Sequence, residues 1–286
     1  MEDTLTDKRY WTKQEKEYGV ERIYGIGSNN FGEHHGGYLN FGWWENTNNY
    51  VEAAEALVHK MGTILGVNAD SKLLDVACGM GAQNIYMHKT FGTSIDALDI
   101  LWDHVNISRE RVKREVLDKH IKVHYGTATK LPFDKNVFTH IMSIEGAQHF
   151  RTRDTFFKEA FRVLRSRGVM LLADFSMKRP ANNLWEKLVF KAAQRFWAVP
   201  NANAYGTEIY KQKLQEAGFT NISFTEGGEH TIPGYYKEQR RKETITALKN
   251  IRGLIPTYAG FFVSYAVYKA FKSGLIEYIF VHAKKP

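Results

Sequence analysis

One cysteine, Cys78, stands in a chain of 286 residues. No disulfide can form within the chain, which suits a reducing compartment. The thiol sits inside a glycine turn and reads as a small packing group rather than a nucleophile. The N-terminus is charged and lacks an apolar core, so no secretory signal is expected there. No apolar run reaches the roughly 20 residues that span a bilayer. The longest, Tyr258 to Phe271, is interrupted by Ser264 and Lys269. A soluble, cytoplasmic protein is the expectation. Two phosphate-binding loops are also missing. The pattern G-x-x-x-x-G-K-[ST] is absent, and the dinucleotide fingerprint G-x-G-x-x-G fails at its third glycine, where Asn84 stands. His34 and His35 are adjacent, but no carboxylate or third ligand is spaced with them. No metal site is expected.

What is present begins at Leu73-Leu74-Asp75-Val76-Ala77-Cys78-Gly79-Met80-Gly81-Ala82. An apolar run carrying Asp75 leads into a Gly-x-Gly turn. A helical pattern follows, then a second apolar run from Ser94 that ends in Asp99, 24 residues after Asp75. The layout is strand, glycine loop, helix, strand, acid, which is half of a doubly wound nucleotide-binding sheet. Glycine lets a backbone pass close to a ligand where a Cβ would clash. Asp99 suits a ribose diol, because a carboxylate can accept two hydrogen bonds. Asp75 is a poor partner for a pyrophosphate and suits a ligand with a cationic end.

In these residues the chain resembles the class I S-adenosylmethionine-dependent methyltransferases. Their first motif runs D-V-G-C-G-x-G, and here it reads D-V-A-C-G-M-G. The resemblance implies S-adenosylmethionine as cofactor, with its cationic end toward Asp75 and its ribose on Asp99. Ala77, Gly79, Gly81 and Ile100 would surround it. The implied fold is α/β, a Rossmann-like doubly wound seven-stranded sheet with an antiparallel last strand and helical cap insertions.

Later landmarks fall in the matching order. His120 to Tyr125 is a third strand. Gly126 to Phe133 corresponds to the family's G-D-A-x-x-L-P-F, whose acid accepts from the adenine amino group. Thr127 replaces that acid here. Adenine contact then passes to its hydroxyl, to the backbone N–H of Ala128 and to apolar neighbours. Val137 to Ser143 is the fourth strand. Phe156 to Leu164 is an amphipathic helix with a turn over Arg165 to Gly168. Gly168 to Ala173 is the fifth strand, ending in Asp174. A helix over Tyr210 to Ala217, capped by Gly218, leads to strand Asn221 to Thr225. Ile276 to His282 is the last strand. The cofactor core thus covers residues 50–175, 206–226 and 275–286.

Three segments lie outside that core. Residues 1–49 begin with a short helix near Trp11 to Tyr18. They continue as a glycine-and-aromatic loop from Tyr24 to Trp44 with no helix or strand period. Small-molecule members of the resembling family carry a similar H-x-G-Y-W or Y-x-N-x-G-x-W element folded over the cofactor. Residues 24–46 therefore read as a lid, with Tyr38 against the cofactor and Trp43 in the substrate pocket. Residues 176–205 add Trp185 and Trp197. Residues 227–274 are 48 residues with two helical patterns, Tyr235 to Ile251 and Thr257 to Phe271. The second is aromatic and includes Tyr265. These two insertions are expected to roof an apolar substrate pocket above the strands' C-terminal ends.

The net charge is +8 and the pI about 9.3, so nucleic acid must be weighed as a partner. The basic residues are spread out, however. Of three basic groups (Arg109, Arg111, Lys113 and Arg114; Arg162, Arg165 and Arg167; Lys237, Arg240, Arg241 and Lys242) only the third coincides with a substrate-side insertion, and no nucleic-acid module is recognised. An anionic small molecule or a membrane-surface lipid uses that charge better.

The fourth strand runs into Glu145-Gly146-Ala147-Gln148-His149-Phe150. This resembles the E-S-x-x-H-M-P segment of sterol, tocopherol, ubiquinone/menaquinone and natural-product sugar methyltransferases. For a hydroxyl acceptor the resemblance implies a base dyad of His149 and Asp174. An imidazole removes the proton while a carboxylate behind it fixes its tautomer. For a carbon acceptor it implies Glu145 as the working acid or base. The leading expectation is methyl transfer to oxygen or carbon of an apolar or amphipathic small molecule: a lipid, isoprenoid, polyketide or glycoside. An RNA or protein methyltransferase is a second reading, weakened by the lack of an N-P-P-Y motif. A non-catalytic cofactor-binding interaction protein is a third. Intact Asp75, Gly79, Gly81 and Asp99 count against it. Oligomeric state stays open, a homodimer included.

Overall fold

The computed structural model describes Gly32 and residues 34–286, apart from the side chains of Trp185, Arg252 and Pro256. The helix expected near Trp11 and the loop start at Tyr24 lie outside the described residues.

Helix α1 (Tyr50–Leu65) opens where Asn49 accepts from the backbone N–H groups of Val51 and Glu52, and stops at Gly66 with φ 69°. Then β1 (Lys72–Val76), α2 (Ala82–Phe91), β2 (Ser94–Asp99), α3 (Trp102–Arg114) and β3 (Ile121–Tyr125) alternate. They are followed by β4 (Phe138–Ile144), α4 (Arg153–Val163) and β5 (Leu164–Met177). Beyond β5 come α5 (Leu184–Phe196), α6 (Thr207–Glu216) and β6 (Thr220–Glu226). Helices α7 (Gly228–Glu238), α8 (Lys242–Arg252) and α9 (Leu254–Lys272) precede β7 (Ile276–Lys284). Single 3-10 turns occupy Ala147–His149 and Asn201–Asn203.

The seven strands form one sheet in the order β3-β2-β1-β4-β5-β7-β6, with β7 antiparallel to both neighbours. Strand side chains alternate with period two, and the sequence uses that to fill both faces. Leu73 in β1 with Leu171 and Ala173 in β5 joins the layer under α1, α2 and α3. Leu74 and Val76 with Met170 and Leu172 join the layer under α4 and α6. Each fully buried leucine contributes about 1.5–3 kcal/mol. The strand order reverses between β1 and β4, and a doubly wound sheet opens its ligand crevice there. No helix among the described residues is long and apolar enough to cross a membrane.

Two local expectations are corrected. Arg165 to Gly168 is not a turn but a bulge inside β5. Pairing with β4 jumps from Phe138–Leu164 to His140–Val169, and Arg167 takes φ +63°. The last insertion holds three helices rather than two. The extra one, α7, contains Pro233 and Gly234, which suppress a helical reading. Packing accounts for the glycine: a Cβ at Gly234 would lie 2.0 Å from the Trp44 ring.

Candidate active site

The loop after β1 is bent by three left-handed residues: Ala77 at φ +66°, Gly79 at +56° and Gly81 at +83°. They do different jobs. Gly79 lines a cavity at the β1–β4 switch point. Gly81 does not line it. A Cβ there would sit 2.1 Å from Ser108 Oγ on α3, so its glycine serves close packing of α2 on α3. Ala77 lines the cavity in a conformation that costs an L-residue roughly 1–2 kcal/mol. Its methyl group has a matching partner: a Cβ added at Gly146 would come within 2.5 Å of it.

Ile100, Leu101 and Ala128 give the cavity apolar walls, and Thr127 adds a hydroxyl. That hydroxyl bonds Thr129 Oγ1 at 3.0 Å and accepts from Thr129 N. Asp99 stands in the wall. Its Oδ2 accepts from Gly79 N and its Oδ1 from Leu101 N, both at 2.9 Å. The backbone thus fixes the carboxylate while lone pairs remain for a diol. Replacing Asp99 with alanine should weaken S-adenosylhomocysteine binding by on the order of 2 kcal/mol or more. Calorimetric titration reads this directly.

Asp75 is fully buried and does not line the cavity. Gln83 does, and its Nε2 donates to Asp75 Oδ2 at 2.6 Å. That contact leaves the Gln83 carbonyl oxygen for a ligand cation, with Asp75 buried behind the amide. Burial pushes the Asp75 carboxyl up to about 7, partly offset by the Gln83 hydrogen bond. Acid for a diol, amide oxygen for a cation and apolar walls for a flat ring fit S-adenosylmethionine.

At the end of β4, Glu145 and His149 both line the cavity. Glu145 takes φ +57°. Its carboxylate accepts from Phe41 N at 3.0 and 3.1 Å and from Tyr278 Oη at 2.8 Å. It therefore ties the N-terminal segment to the sheet. Burial pushes this carboxyl up to about 8. The folded state holds its proton more tightly than the unfolded chain, whose carboxyl titrates near 4.5. Glu145 therefore makes stability fall as pH rises from about 5 to about 8. Glu145→Gln should flatten that slope in melting temperatures taken across the range. The part due to Asp75, with the same sign, should persist.

His149 Nδ1 lies 3.5 Å from the carbonyl oxygen of Ala198. A carbonyl can only accept, so this contact calls for the proton on Nδ1, and Nε2 then accepts from Gln148 Nε2 at 3.4 Å. Desolvation pushes the imidazole down to about 4, so it is neutral at pH 7. Asp174, expected behind this imidazole, is instead the counter-ion of Arg153. Arg153 Nε lies 2.8 Å from Asp174 Oδ2. Tyr210 Oη donates to the same oxygen at 2.9 Å, and Phe175 N donates to Oδ1 at 2.8 Å. Arg153 also donates to the carbonyls of Phe175 and Asn203.

The two N-terminal candidates turn away from the cavity. Leu39 and Asn40 line it instead. Tyr38 Oη donates to Glu55 at 3.2 Å on α1. Trp43 stacks on His230 of α7, with Lys60 Nζ 4.1 Å from its ring centre. The reason is local: Gly42, at φ +74°, brings the chain so close to α1 that a Cβ would lie 2.8 Å from Ala53 Cβ. His35 is buried against Tyr50, ring centres 4.1 Å apart, while His34 is exposed. Among the described residues no cluster of three or more His, Cys, Asp or Glu stands ready for a metal.

Trp197 and Tyr265 line a second cavity of about 440 Å³ under α5 and α9. The Trp185 side chain lies outside the described residues. Gln148 lines this second cavity and His149 the first, so the two approach each other at consecutive residues. Sequence reasoning missed Gln83, the Ala198 carbonyl and Arg153. Gln83 carried a signal, being on the first turn of the helix after the glycine loop. The other two depend on tertiary contacts alone.

Residues 74–172 match a family model described as a methyltransferase domain. Erythromycin 3''-O-methyltransferase of Saccharopolyspora erythraea is 31% identical over 193 residues, covering 65% of this chain and 63% of that one. The match therefore spans just under two thirds of that relative. The 27-O-demethylrifamycin SV methyltransferase of Amycolatopsis mediterranei is 25% identical over 254 residues, 87% of this chain and 90% of that one. A solved structure described as a sarcosine dimethylglycine methyltransferase, from Galdieria sulphuraria, superposes with a TM-score of 0.79 at 18% identity. It covers 91% of this chain and 97% of that one and shows the shared fold. Fold, glycine loop and domain match agree: residues 74–172 match a methyltransferase domain, and the chain is similar to methyltransferases named for small-molecule substrates.

Proposed function

We propose that the protein methylates a hydroxyl oxygen of an apolar or amphipathic small molecule, with His149 as the base that takes the hydroxyl proton. The observation that carries this reading is a neutral imidazole held through Nδ1 by the Ala198 carbonyl, standing where the two cavities approach. S-adenosylmethionine supplies an already activated methyl group. The protein's part is to position the acceptor, exclude water and accept one proton at His149 Nε2. Residues 37–41 help to close the cofactor cavity, and Glu145 fastens them through Phe41. This use of Glu145 as a fastening competes with a role as base toward carbon. Two relatives are named for O-methylation of small natural products, which supports oxygen and a small acceptor over RNA or protein. The apolar lining under α5 and α9 supports a lipid, isoprenoid, polyketide or glycoside acceptor. The single cysteine, buried and free, suits work in the cytoplasm.

The test is a transfer assay with methyl-labelled cofactor against alcohols of these four classes, with RNA and a protein mixture alongside. Label in an apolar alcohol supports the reading. Label only in RNA or protein, or in none, defeats it.

A further inference from the structure

We propose that the cap cavity is the acceptor's seat, and that Gln148 and Gln194 read a single hydroxyl group on an otherwise apolar, uncharged acceptor. The inference rests on the methyltransferase reading, but it is argued from binding groups alone. Phe190, Trp197, Phe262, Val267 and Ile276 give the cavity its apolar lining. Its volume of about 440 Å³ falls within the range of small-ligand pockets, roughly 300–1,000 Å³.

Three amides interrupt that lining, Gln148, Gln194 and Asn203, and the first two carry an unpartnered atom. Gln148 is 3% exposed and Gln194 7% exposed. Among the described residues, Gln148 Oε1 and Gln194 Nε2 have no hydrogen-bond partner. Arg153 Nε, also in the lining, makes no hydrogen bond but lies 2.8 Å from Asp174 Oδ2 as an ion pair. Asn203 Nδ2 donates to the carbonyls of Gln148 and Phe150. A buried amide without a partner lowers stability, so two lining one apolar cavity point to a ligand.

The pair offers one acceptor and one donor. A hydroxyl both donates and accepts, so it answers both at once. The Gln148 orientation is fixed from behind. Its Nε2 lies 3.4 Å from His149 Nε2, the nitrogen left unprotonated by the Ala198 contact, and this turns Oε1 away from His149. An anionic head group is disfavoured. The Arg153 charge is neutralised by Asp174, Glu186 at the cavity wall is paired with Arg179 at 2.8 Å, and Lys269, the other cation of the wall, is exposed to solvent beside the Tyr265 ring.

The experiment uses the full chain saturated with S-adenosylhomocysteine, so no turnover is needed. Two probes of similar shape, 1-naphthol and 1-methylnaphthalene, are titrated calorimetrically into the wild type and Gln194→Met. Methionine keeps the length of the side chain and removes its amide. The variant should bind 1-naphthol about 10-fold more weakly, because the hydroxyl loses its buried partner. Its affinity for 1-methylnaphthalene should stay the same or rise. Its melting temperature without probe should hold or increase, which a purely structural glutamine would not allow. S-adenosylhomocysteine affinity reports correct folding. If Gln194→Met fails that check, Gln148→Met carries the same comparison. Equal losses for both probes, or no binding of either to the wild type, would overturn the proposal. A failed methyl-transfer assay with the selectivity intact would overturn the proposed reaction and leave this binding site standing.

Discussion

Asp174→Asn is expected to cost about 3–5 kcal/mol of stability, because it leaves the Arg153 guanidinium buried without its counter-charge. Arg153 is 1% exposed and Asp174 0%. The guanidinium also lies 5.1 Å from the ring centres of both Tyr205 and Tyr210. This cluster joins the start of α4, the end of β5 and the turn at Asn201–Asn203. Arg153 is held so firmly in its charged form that protonation of the arginine is not in question. A domain of this size loses roughly 2–4 °C per kcal/mol, so the melting temperature should drop by about 6–20 °C. Pairing the change with Arg153→Met should restore part of the loss, because it removes the stranded charge. Thermal melts of the two variants settle the matter. If Asp174→Asn melts like the wild type while the pH profile of its turnover moves, Asp174 serves the imidazole after all.

His149→Ala is expected to lower turnover about 10²-fold or more, the usual contribution of a general base. S-adenosylhomocysteine affinity should change little, since the polar contacts proposed for the cofactor lie on Asp99 and the β1 loop rather than on His149. The wild-type pH dependence should be diagnostic. Desolvation holds the His149 pKa at about 4, below its ordinary 6.5. The base is therefore lost only when pH falls through about 4. Turnover should rise through that point and stay level across neutral pH. A rise centred near 6.5 would mean that the histidine is solvated in the working complex. Wild-type turnover in His149→Ala would remove it from the chemistry.

The cofactor half of the site was legible because its signals are local. A strand, a glycine turn and an acid on the next strand are adjacent in sequence, and the chain has no freedom to place Asp99 elsewhere. Ala77, Gly79, Asp99, Ile100, Thr127 and Ala128 all line one cavity. Even there the sequence blurred two positions, since Gly81 packs against Ser108 and Asp75 is buried behind Gln83. The acceptor half was less legible. Whether Asp174 faces an imidazole or a guanidinium depends on how α4 packs against β5, and no spacing in the chain encodes that. Tyr38 and Trp43 were expected at the site from the lid resemblance, but Gly42 and Ala53 set the direction of the segment, and both rings are buried against α1 and α7 instead. The helix α7 was hidden by Pro233 and Gly234, whose low helix propensity is overruled by the contact with Trp44.

The central claim is that the methyl group goes to oxygen with His149 taking the proton. Its most direct test is nuclear magnetic resonance of the product made from cofactor carrying a carbon-13 methyl group. The label should appear as a methoxy signal, and its rate of appearance should collapse in His149→Ala while Glu145→Gln stays near wild type. A labelled methyl on carbon, lost in Glu145→Gln and kept in His149→Ala, would contradict the account.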